Sequence, residues 1–314
     1  MSARPLVLVI GPTSAPGERI LGEALAGVAE LVFRPDADAA LDVAGAATVA
    51  IVGGPPLPER FLARAERLAL VHRLGGASAA RGEAASLRAR GVAVSGSPPG
   101  LSAAATAEHA LSLLLALTKR LVAADAHVRA GDWRVPSAFH DTARELGALT
   151  VGIVGLGRTG ARLARLLEPF GARILYTRRS GEAAAGVPGE RVALGDLLGA
   201  ADAVSLHVRA APGAFAFGAP ELDAMRPGAW LVNTARAHLL DHEALLRALD
   251  ERLAGAALDV FPDEPRVDPR LRAHSRVLLT PHAAGRTAEA AARYYGAAAR
   301  AALEALEQIA AVGA

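Results

Sequence analysis

The chain has 314 residues, of which 52% are hydrophobic and 21% are charged. This length and composition predict a folded protein of two domains and exclude a disordered chain. A formal net charge of +2, from 34 basic and 32 acidic residues with no dense basic block, argues against a nucleic-acid partner. The absence of cysteine excludes disulfides, thiolate catalysis and cysteine-ligated metals.

No apolar run has the length of a membrane-spanning helix. The first run, residues 6–10, is too short for the hydrophobic part of a signal peptide and ends at Gly11-Pro12, as a strand would. We therefore expect a cytoplasmic protein that has no membrane partner and binds no metal.

Strand-like and helix-like segments alternate through the first hundred residues. The predicted strands are 6–10, 48–52, 68–71 and 92–94, and the predicted helices are 18–26, 59–67 and 81–90. This alternation predicts a parallel sheet with helices on its faces. The breaker-rich residues 95–100 then predict a hinge between domains.

Residues 102–130 predict one long helix, which we expect to be buried because residues 111–117 are apolar around most of its circumference. Further strands are predicted at 173–176, 203–207, 230–233, 255–259 and 276–280, with a helix at 241–250 and a final Ala-rich helix at 287–311. The second part of the chain therefore also reads as an α/β domain.

The most informative stretch is residues 150–167, where a β-branched run, three glycines and a helix-periodic segment predict strand, tight turn and helix. Gly155 permits the turn, Gly157 carries no Cβ to obstruct a pyrophosphate, and Gly160 lets the helix pack on the strand. The helix N-terminus offers free N–H groups to phosphates. A glycine pattern by itself is a weak signal among 32 glycines, but the flanking strand and helix favour a dinucleotide site.

The turn after the next strand predicts which dinucleotide is preferred. Members of this fold that bind NAD place an acid about 20 residues beyond the glycines, where it binds the ribose hydroxyls. Here that position is Arg178, flanked by Thr177 and Arg179, and residues 172–181 contain no aspartate or glutamate. Guanidiniums and hydroxyls suit a 2′-phosphate, so we expect a preference for NADP(H) with NAD(H) use possible. The alternative is a solvated basic turn, with NAD held by backbone groups.

Polar side chains follow three later strands. Arg236 could grip a carboxylate with its planar fork, although a surface arginine on a loop would look the same. Asp259 and Glu264, taken singly, read as solvated loop acids, and His282 is one of nine histidines. Ligands of open α/β sheets bind at the carboxyl ends of strands, and an imidazole beside a carboxylate can exchange a proton near neutral pH. Together these residues supply what carbonyl reduction requires.

Residues 150–285 closely resemble the D-isomer-specific 2-hydroxyacid dehydrogenases, which include phosphoglycerate, hydroxypyruvate and glyoxylate enzymes. The resembling stretches are 151–160, 204–208, 225–236, 253–265 and 278–285, with a weaker match at 106–111. The resemblance implies an α/β fold of two doubly wound, Rossmann-like parallel-sheet domains with a cleft between them, and a homodimer. The substrate-binding domain would be 1–102, completed by the C-terminal helix 286–314, and the dinucleotide-binding domain would be 103–285.

The resemblance also implies roles for individual residues. His282 is similar to the family's acid/base, Glu264 to its carboxylate partner, and Arg236 to the arginine that holds the substrate carboxylate with backbone N–H groups around Gly75 and Gly76. The cofactor-binding residues implied in addition to the glycines and residues 177–179 are Arg158, Thr159, Thr234, Ala235, Gly285 and Asp259, the last near the nicotinamide amide. The expected reaction is reversible reduction of a small 2-keto acid to a (2R)-hydroxy acid.

The sequence departs from the family pattern in the segment expected to grip the substrate. Residues 77–81 lack the aspartate that the family commonly carries there, so the identity of the 2-keto acid stays open. Two other functions also stay open. One is a dinucleotide-sensing corepressor-like binding protein, and the other is a formate-type or phosphite-type dehydrogenase on the same fold.

Overall fold

The computed structural model describes residues 4–75, 81–134, 139, 142–179, 185–208 and 217–312. Its strands are β1 (Leu6–Ile10), β2 (Glu30–Arg34), β3 (Ala47–Val52), β4 (Leu70–Arg73), β5 (Ala93–Gly96), β6 (Thr150–Val154), β7 (Arg173–Thr177), β8 (Glu190–Arg191), β9 (Ala203–Leu206), β10 (Trp230–Asn233), β11 (Gly255–Leu258) and β12 (Val277–Leu279). Its helices are α1 (Ala15–Leu25), α2 (Glu59–Leu62), α3 (Arg81–Ala89), α4 (Ala103–Thr118), α5 (Leu121–Arg129), α6 (Arg158–Leu167), α7 (Leu194–Ala200), α8 (Ala219–Ala224), α9 (His242–Glu251), α10 (Pro269–Ala273) and α11 (Ala288–Val312).

The chain divides into two compact units, one formed by residues 1–101 and 287–314 and the other by residues 102–286. The first unit holds a five-stranded sheet in the order β2-β1-β3-β4-β5. The second holds a seven-stranded sheet in the order β12-β11-β10-β9-β6-β7-β8. The strand pairings within both sheets are parallel. The predicted α/β class with two doubly wound parallel sheets is confirmed.

The central strands are apolar because helices cover both faces of each sheet. All five residues of β1 and all four of β10 are buried. In the first unit, α11 returns to pack on α1, where a Cβ on Gly17 would lie 2.2 Å from the ring of Tyr295. The glycine therefore sets how closely these two helices approach.

The prediction of one long helix at 102–130 is wrong, because the segment forms two helices, α4 and α5. Arg120 adopts a left-handed backbone with φ +54° between α4 and α5. The carbonyl of Thr118 accepts a hydrogen bond from the backbone N–H of Arg144 at 2.8 Å. A tertiary contact thus occupies an acceptor that a continuing helix would use. The expectation of burial holds for α4, whereas α5 has no buried residue.

The helix predicted at 59–67 is also shorter than expected, since only the single turn α2 forms. Phe61, Leu62, Ala65 and Leu68 are nevertheless buried, at the helical spacing seen in the sequence. A series of turns satisfies this spacing without a continuous helix.

Two edge strands, β2 and β8, were not predicted, and the predicted hinge at 95–100 begins inside β5. None of the helices in the described ranges is long and apolar enough to cross a membrane.

Candidate active site

Three neighbouring parallel strands of the second unit end at one edge of its sheet. Asn233 of β10 is in register with Leu258 of β11, which in turn is in register with Leu279 of β12. The loops after these strands carry Arg236, Asp259 with Glu264, and His282. Because the carboxyl ends of parallel strands meet at the same edge, residues that are 46 positions apart in the chain come from adjacent loops.

His282 and Glu264 form a hydrogen-bonded pair, as the family resemblance implied. The Nδ1 atom of His282 lies 2.8 Å from Oε2 of Glu264, and both side chains are partly exposed. Glu264 Oε1 accepts a second hydrogen bond, from the Phe261 N–H at 2.9 Å. Partial burial raises the pKa of the Glu264 carboxyl, but the bonds from His282 and Phe261 outweigh it, and the net pKa is below its ordinary value. Glu264 is therefore an anion at neutral pH.

The loop that carries His282 is held by a buried carboxylate. Asp259 is fully buried and accepts hydrogen bonds from Thr280 Oγ1 at 2.6 Å, Ala283 N at 2.8 Å and Ala284 N at 3.0 Å. His282 itself has φ +51°, a left-handed conformation that a non-glycine residue adopts only when its surroundings enforce it. These three hydrogen bonds hold the loop in this conformation, so Asp259 positions His282.

A second histidine supports the same loop from α4. His109 Nε2 lies 3.1 Å from Thr280 Oγ1 and 3.7 Å from Asp259 Oδ1. The hydroxyl of Thr280 is thus placed between the carboxylate and an imidazole. Three donors already bind the carboxylate oxygens of Asp259. The contact of Asp259 with a nicotinamide amide stays a prediction.

Arg236 lies on an exposed loop whose start is held by a buried amide. Asn233, fully buried at the end of β10, donates from Nδ2 to the Arg236 carbonyl at 3.0 Å and accepts from the Ala235 N–H at 3.0 Å. The Nη1 atom of Arg236 donates to the Ala235 carbonyl at 2.6 Å. One corner of the guanidinium is therefore anchored to its own loop, and its other donors can face a planar anion.

The three fingerprint glycines each have a geometric reason. Gly155 has φ +100°, and a Cβ there would lie 2.9 Å from the carbonyl carbon of His207. A Cβ on Gly160 would lie 2.4 Å from the carbonyl oxygen of Gly155, so the first turn of α6 could not approach β6. Gly157, which caps α6, faces open space. This combination of tight turn, open approach and close helix packing is what a dinucleotide pyrophosphate requires.

A cavity of about 840 Å³ opens beside this turn. Its described lining comprises residues 154–157, 177–179, 191–194 and 207–208. Those residues include three arginines, Arg178, Arg179 and Arg191, and no aspartate or glutamate. Near the end of β10, the hydroxyl of Thr234 is buried and has no hydrogen-bond partner in the described structure. The glycine turn, the basic wall and this unsatisfied hydroxyl fit a dinucleotide.

His207, at the carboxyl end of β9, forms part of the cavity wall. Burial lowers the pKa of its imidazole to about 4, so the ring is neutral under ordinary conditions. Its Nε2 atom lies 2.9 Å from the hydroxyl of Ser205, which fixes the ring in place. The wall therefore offers a neutral ring beside the glycine turn and cationic groups farther along.

The other predicted cofactor residues are distributed around the same sheet edge. Arg158 and Thr159 occupy the first turn of α6, and Ala235 lies between Thr234 and the Arg236 loop. A Cβ on Gly285 would lie 3.2 Å from Cβ of Ser102, so this glycine permits close packing against the start of α4. Contact of these residues with a cofactor stays a prediction.

The predicted substrate residues Gly75 and Gly76 belong to the first unit. Gly75 follows β4 with φ +85° and faces open space, while Gly76 lies outside the described residues. The Cβ-free, left-handed turn at Gly75 leaves its backbone accessible to a ligand.

A buried ion pair lies directly before this turn. Arg73 and Glu83 are both buried, and the guanidinium donates to Glu83 Oε2 through Nε, at 3.0 Å, and through Nη2. Arg73 Nη1 also donates to the carbonyls of Gly54 and Pro55, and Glu83 Oε1 accepts from the Leu57 N–H at 2.7 Å. The pair joins the loop after β3, the end of β4 and the start of α3.

Sequence reasoning missed several of these residues. Asn233 carries a visible signal, because it is a polar amide ending an otherwise apolar strand. Arg191 and Glu83 carry none, since an exposed edge-strand arginine and a glutamate in a helix are ordinary in sequence. The sequence indicated His109 only as part of the weaker family-like stretch at 106–111.

The family model described as "D-isomer specific 2-hydroxyacid dehydrogenase, NAD binding domain" matches residues 111–284. This stretch is more than half of the chain and contains the glycine turn, the three strand-end loops and the His282–Glu264 pair. The chain belongs to this family. The resemblance inferred from the sequence is confirmed. Residues 111–284 correspond to the NAD-binding domain of the family.

Individual relatives agree with this assignment. This chain is 40% identical over 209 residues to a glyoxylate reductase of Thermococcus litoralis, and the alignment covers 64% of this chain and 63% of that enzyme. It is 38% identical over 263 residues to a D-3-phosphoglycerate dehydrogenase of Mycobacterium bovis, covering 82% of this chain and 47% of that enzyme. The aligned stretch is thus less than two thirds of the length of either curated relative.

A solved structure matches over nearly the whole chain. It is an NADPH-dependent glyoxylate/hydroxypyruvate reductase of Sinorhizobium meliloti, 30% identical, with a TM-score of 0.79 and coverage of 93% of this chain and 92% of that one. Both units of this chain therefore have counterparts in that reductase.

Proposed function

We propose that this protein reduces a small 2-keto acid reversibly to a (2R)-hydroxy acid and prefers NADPH as the hydride donor. The observation that carries the proposal is the His282–Glu264 pair, with Nδ1 and Oε2 2.8 Å apart at the sheet edge that also presents Arg236. A protein that only senses a dinucleotide does not need an acid/base pair. Formate-type chemistry does not need a proton donor for a carbonyl oxygen.

In this proposal the first unit, with the Gly75 turn, binds substrate, and the second binds the dinucleotide. The glycine turn would hold the pyrophosphate, and the arginines at 178 and 179 would hold the 2′-phosphate. The nicotinamide, when bound, supplies or accepts the hydride. Support for NADPH comes from the basic cavity wall and from the Sinorhizobium meliloti reductase, which is NADPH-dependent.

The proton is handled by His282. Because Nδ1 is bonded to the Glu264 carboxylate, proton exchange with substrate falls to Nε2. During reduction the imidazolium gives this proton to the carbonyl oxygen, which becomes the hydroxyl, and the ring regains a proton from solvent. In oxidation the neutral ring takes the hydroxyl proton. Arg236 would hold the substrate carboxylate.

A panel of glyoxylate, hydroxypyruvate, phenylpyruvate and 2-ketoisocaproate with NADPH and NADH tests the proposal. We expect turnover of at least one 2-keto acid, with kcat/KM roughly tenfold or more higher for NADPH, because the basic turn binds the 2′-phosphate and lacks the acid that repels it. Dinucleotide binding without turnover of any 2-keto acid would favour the sensing protein. A tenfold preference for NADH would contradict the cofactor assignment alone.

Replacement of Arg236 with lysine tests the carboxylate anchor. Lysine keeps the charge but not the planar fork, so we expect kcat/KM for the 2-keto acid to fall by about 30–150-fold, or ~2–3 kcal/mol. Steady-state kinetics of Arg236→Lys against Arg226→Lys provide the measurement. Arg226 precedes the same strand at the opposite edge of the sheet, where it pairs with Asp202, and its substitution should have little effect. Equal activity of both variants would place the carboxylate elsewhere.

We also propose that the protein is a homodimer through the face of α5. Leu121, Val122 and Val128 are each more than half exposed and Trp133 is 84% exposed, although all four are apolar. Such a patch is typical of a protein–protein interface. Sedimentation equilibrium should give a dimer for the native chain and a monomer for Val122→Glu, because the carboxylate would be desolvated at the interface. A native monomer, or a dimer unaffected by the substitution, would contradict this interface.

A further inference from the structure

The loop after β12 carries a second cation, Arg286, four residues beyond His282. The backbone N–H of Arg286 donates to the carbonyl of Ala283 at 2.8 Å, which closes a β-turn. The start of this turn is fixed by the hydrogen bonds that the Ala283 and Ala284 N–H groups donate to Asp259. The Cα atoms of the first and last residues of a β-turn lie within about 7 Å of each other. The backbone of Arg286 is therefore held close to His282 by the same carboxylate that positions His282.

Arg286 also lies near the carboxylate that pairs with His282. Partial burial raises the pKa of the Glu264 carboxyl, and the positive charge of Arg286 is one of the effects that lower this pKa again. Both oxygens of Glu264 nevertheless have other partners, since Oε2 is bonded to Nδ1 of His282 and Oε1 to the Phe261 N–H. The Arg286 side chain is exposed and, within the described ranges, forms no hydrogen bond or salt bridge. Its guanidinium therefore has N–H donors available to a ligand beside the acid/base pair.

The charges of these side chains match a substrate that has two anionic groups. Glu264 is the counterion of His282, so this pair carries no net charge when the ring is protonated. Arg236 supplies one positive charge for the carboxylate beside the keto group, and Arg286 adds a second, which a monocarboxylic acid would leave unmatched. A guanidinium fork binds a carboxylate through two parallel hydrogen bonds. A phosphate dianion fits less well than a carboxylate, because Glu264 repels the doubly charged group more strongly.

We propose that Arg286 is a specificity-determining residue that binds a second carboxylate of the substrate, so that the preferred substrate is a 2-keto dicarboxylate. This role rests on the proposed 2-keto acid reduction and narrows its substrate class. Arg236 and Arg286 hold the two ends of the substrate, and the keto group between them faces Nε2 of His282. The reaction is unchanged, because Arg286 takes no part in hydride or proton transfer.

Two pairs of substrates with equal chain length test this role. The dicarboxylates 2-ketoglutarate and oxaloacetate are compared with 2-ketovalerate and 2-ketobutyrate, which carry a methyl group in place of the second carboxylate. We expect the native chain to show a kcat/KM about tenfold or more higher for at least one dicarboxylate than for its partner, because a charge-assisted fork holds the additional carboxylate.

Arg286→Gln should lower this ratio by about tenfold or more, mainly through a higher KM for the dicarboxylate, because the charged fork is lost. Its kcat/KM for the monocarboxylic partner should stay close to the native value, which also shows that the variant is folded. Arg286→Lys should retain part of the native ratio, since lysine keeps the charge without the fork.

Arg266→Gln is the matched control. Arg266 is an exposed arginine two residues from Glu264 in the chain, yet of these two arginines only Arg286 lowers the pKa of the Glu264 carboxyl against the effect of burial. The control variant should keep the native ratio of dicarboxylate to monocarboxylate kcat/KM.

The possible failures are distinguishable. If the native chain reduces no 2-keto acid, the proposed function is wrong. If it reduces monocarboxylic 2-keto acids without preferring the dicarboxylates, or if Arg286→Gln keeps the native preference, the role of Arg286 is wrong while the proposed function stands. A fall in kcat by the same factor for both members of a pair would also contradict this role, because Arg286 would then act through Glu264 and bind no substrate carboxylate.

Discussion

His282→Asn is expected to lower kcat by roughly 10²–10⁴-fold while NADPH binding stays at its native strength, because general acid–base catalysis contributes about this much. Asparagine is the suitable replacement, since it tolerates the left-handed backbone that His282 adopts at φ +51° better than other residues do. The loop held by Asp259 should therefore keep its shape. Single-turnover kinetics and fluorescence titration with NADPH provide the two measurements.

Glu264→Gln is the companion variant. Glutamine can still bond to Nδ1 of His282, but it carries no charge to stabilise the imidazolium, so the fall in kcat should be smaller than for His282→Asn. Native turnover in His282→Asn would remove the histidine from the mechanism. A native kcat in Glu264→Gln would remove the charge of Glu264 from the mechanism.

Glu83→Ala is expected to destabilise the first unit by about 3–5 kcal/mol, because it leaves the guanidinium of Arg73 buried without its counterion. The side chains of both residues are almost fully buried, and Glu83 also accepts from the Leu57 N–H. Hydrogen exchange measured by mass spectrometry should show faster exchange in peptides covering residues 50–57 and 70–75. Urea unfolding followed by circular dichroism should show a lower midpoint for the transition in which the first unit unfolds.

The pair Arg60–Asp38 in the same unit is the control. Its Nε–Oδ1 distance is 2.6 Å, but both side chains are about 60% exposed, so water replaces the lost partner. Asp38→Ala should therefore change the midpoint far less than Glu83→Ala. The double variant Arg73→Leu/Glu83→Leu should recover part of the stability, because no unpaired charge remains. Equal destabilisation by the exposed and buried variants would show that burial of the pair is not the cause.

The sequence by itself determined the fold class and indicated which residues could form the candidate site. Local rules suffice for Gly155, Gly157 and Gly160, since a tight turn between strand and helix needs those residues in that order. They do not suffice for the roles of His282 and Arg236. Each follows a strand whose carboxyl end lies at the ligand-binding edge of a parallel sheet, but only the family resemblance implies what these side chains do. Trp230–Asn233 was predicted at its observed bounds, because it is a short apolar run that begins just after Pro227 and Gly228.

Only the tertiary structure decided which residues distant in the chain support the site. The bonds of Asp259 to the His282 loop, of Arg191 to the turn at Arg178, and of Glu83 to Arg73 all depend on the spatial neighbours of each side chain. The break between α4 and α5 has the same origin, since the Thr118 carbonyl is bound by Arg144. Residue periodicity reports which face of an element is apolar, but it carries no information about the partner of a polar atom. Partners are set by strand order and loop packing, which form only when the whole unit folds.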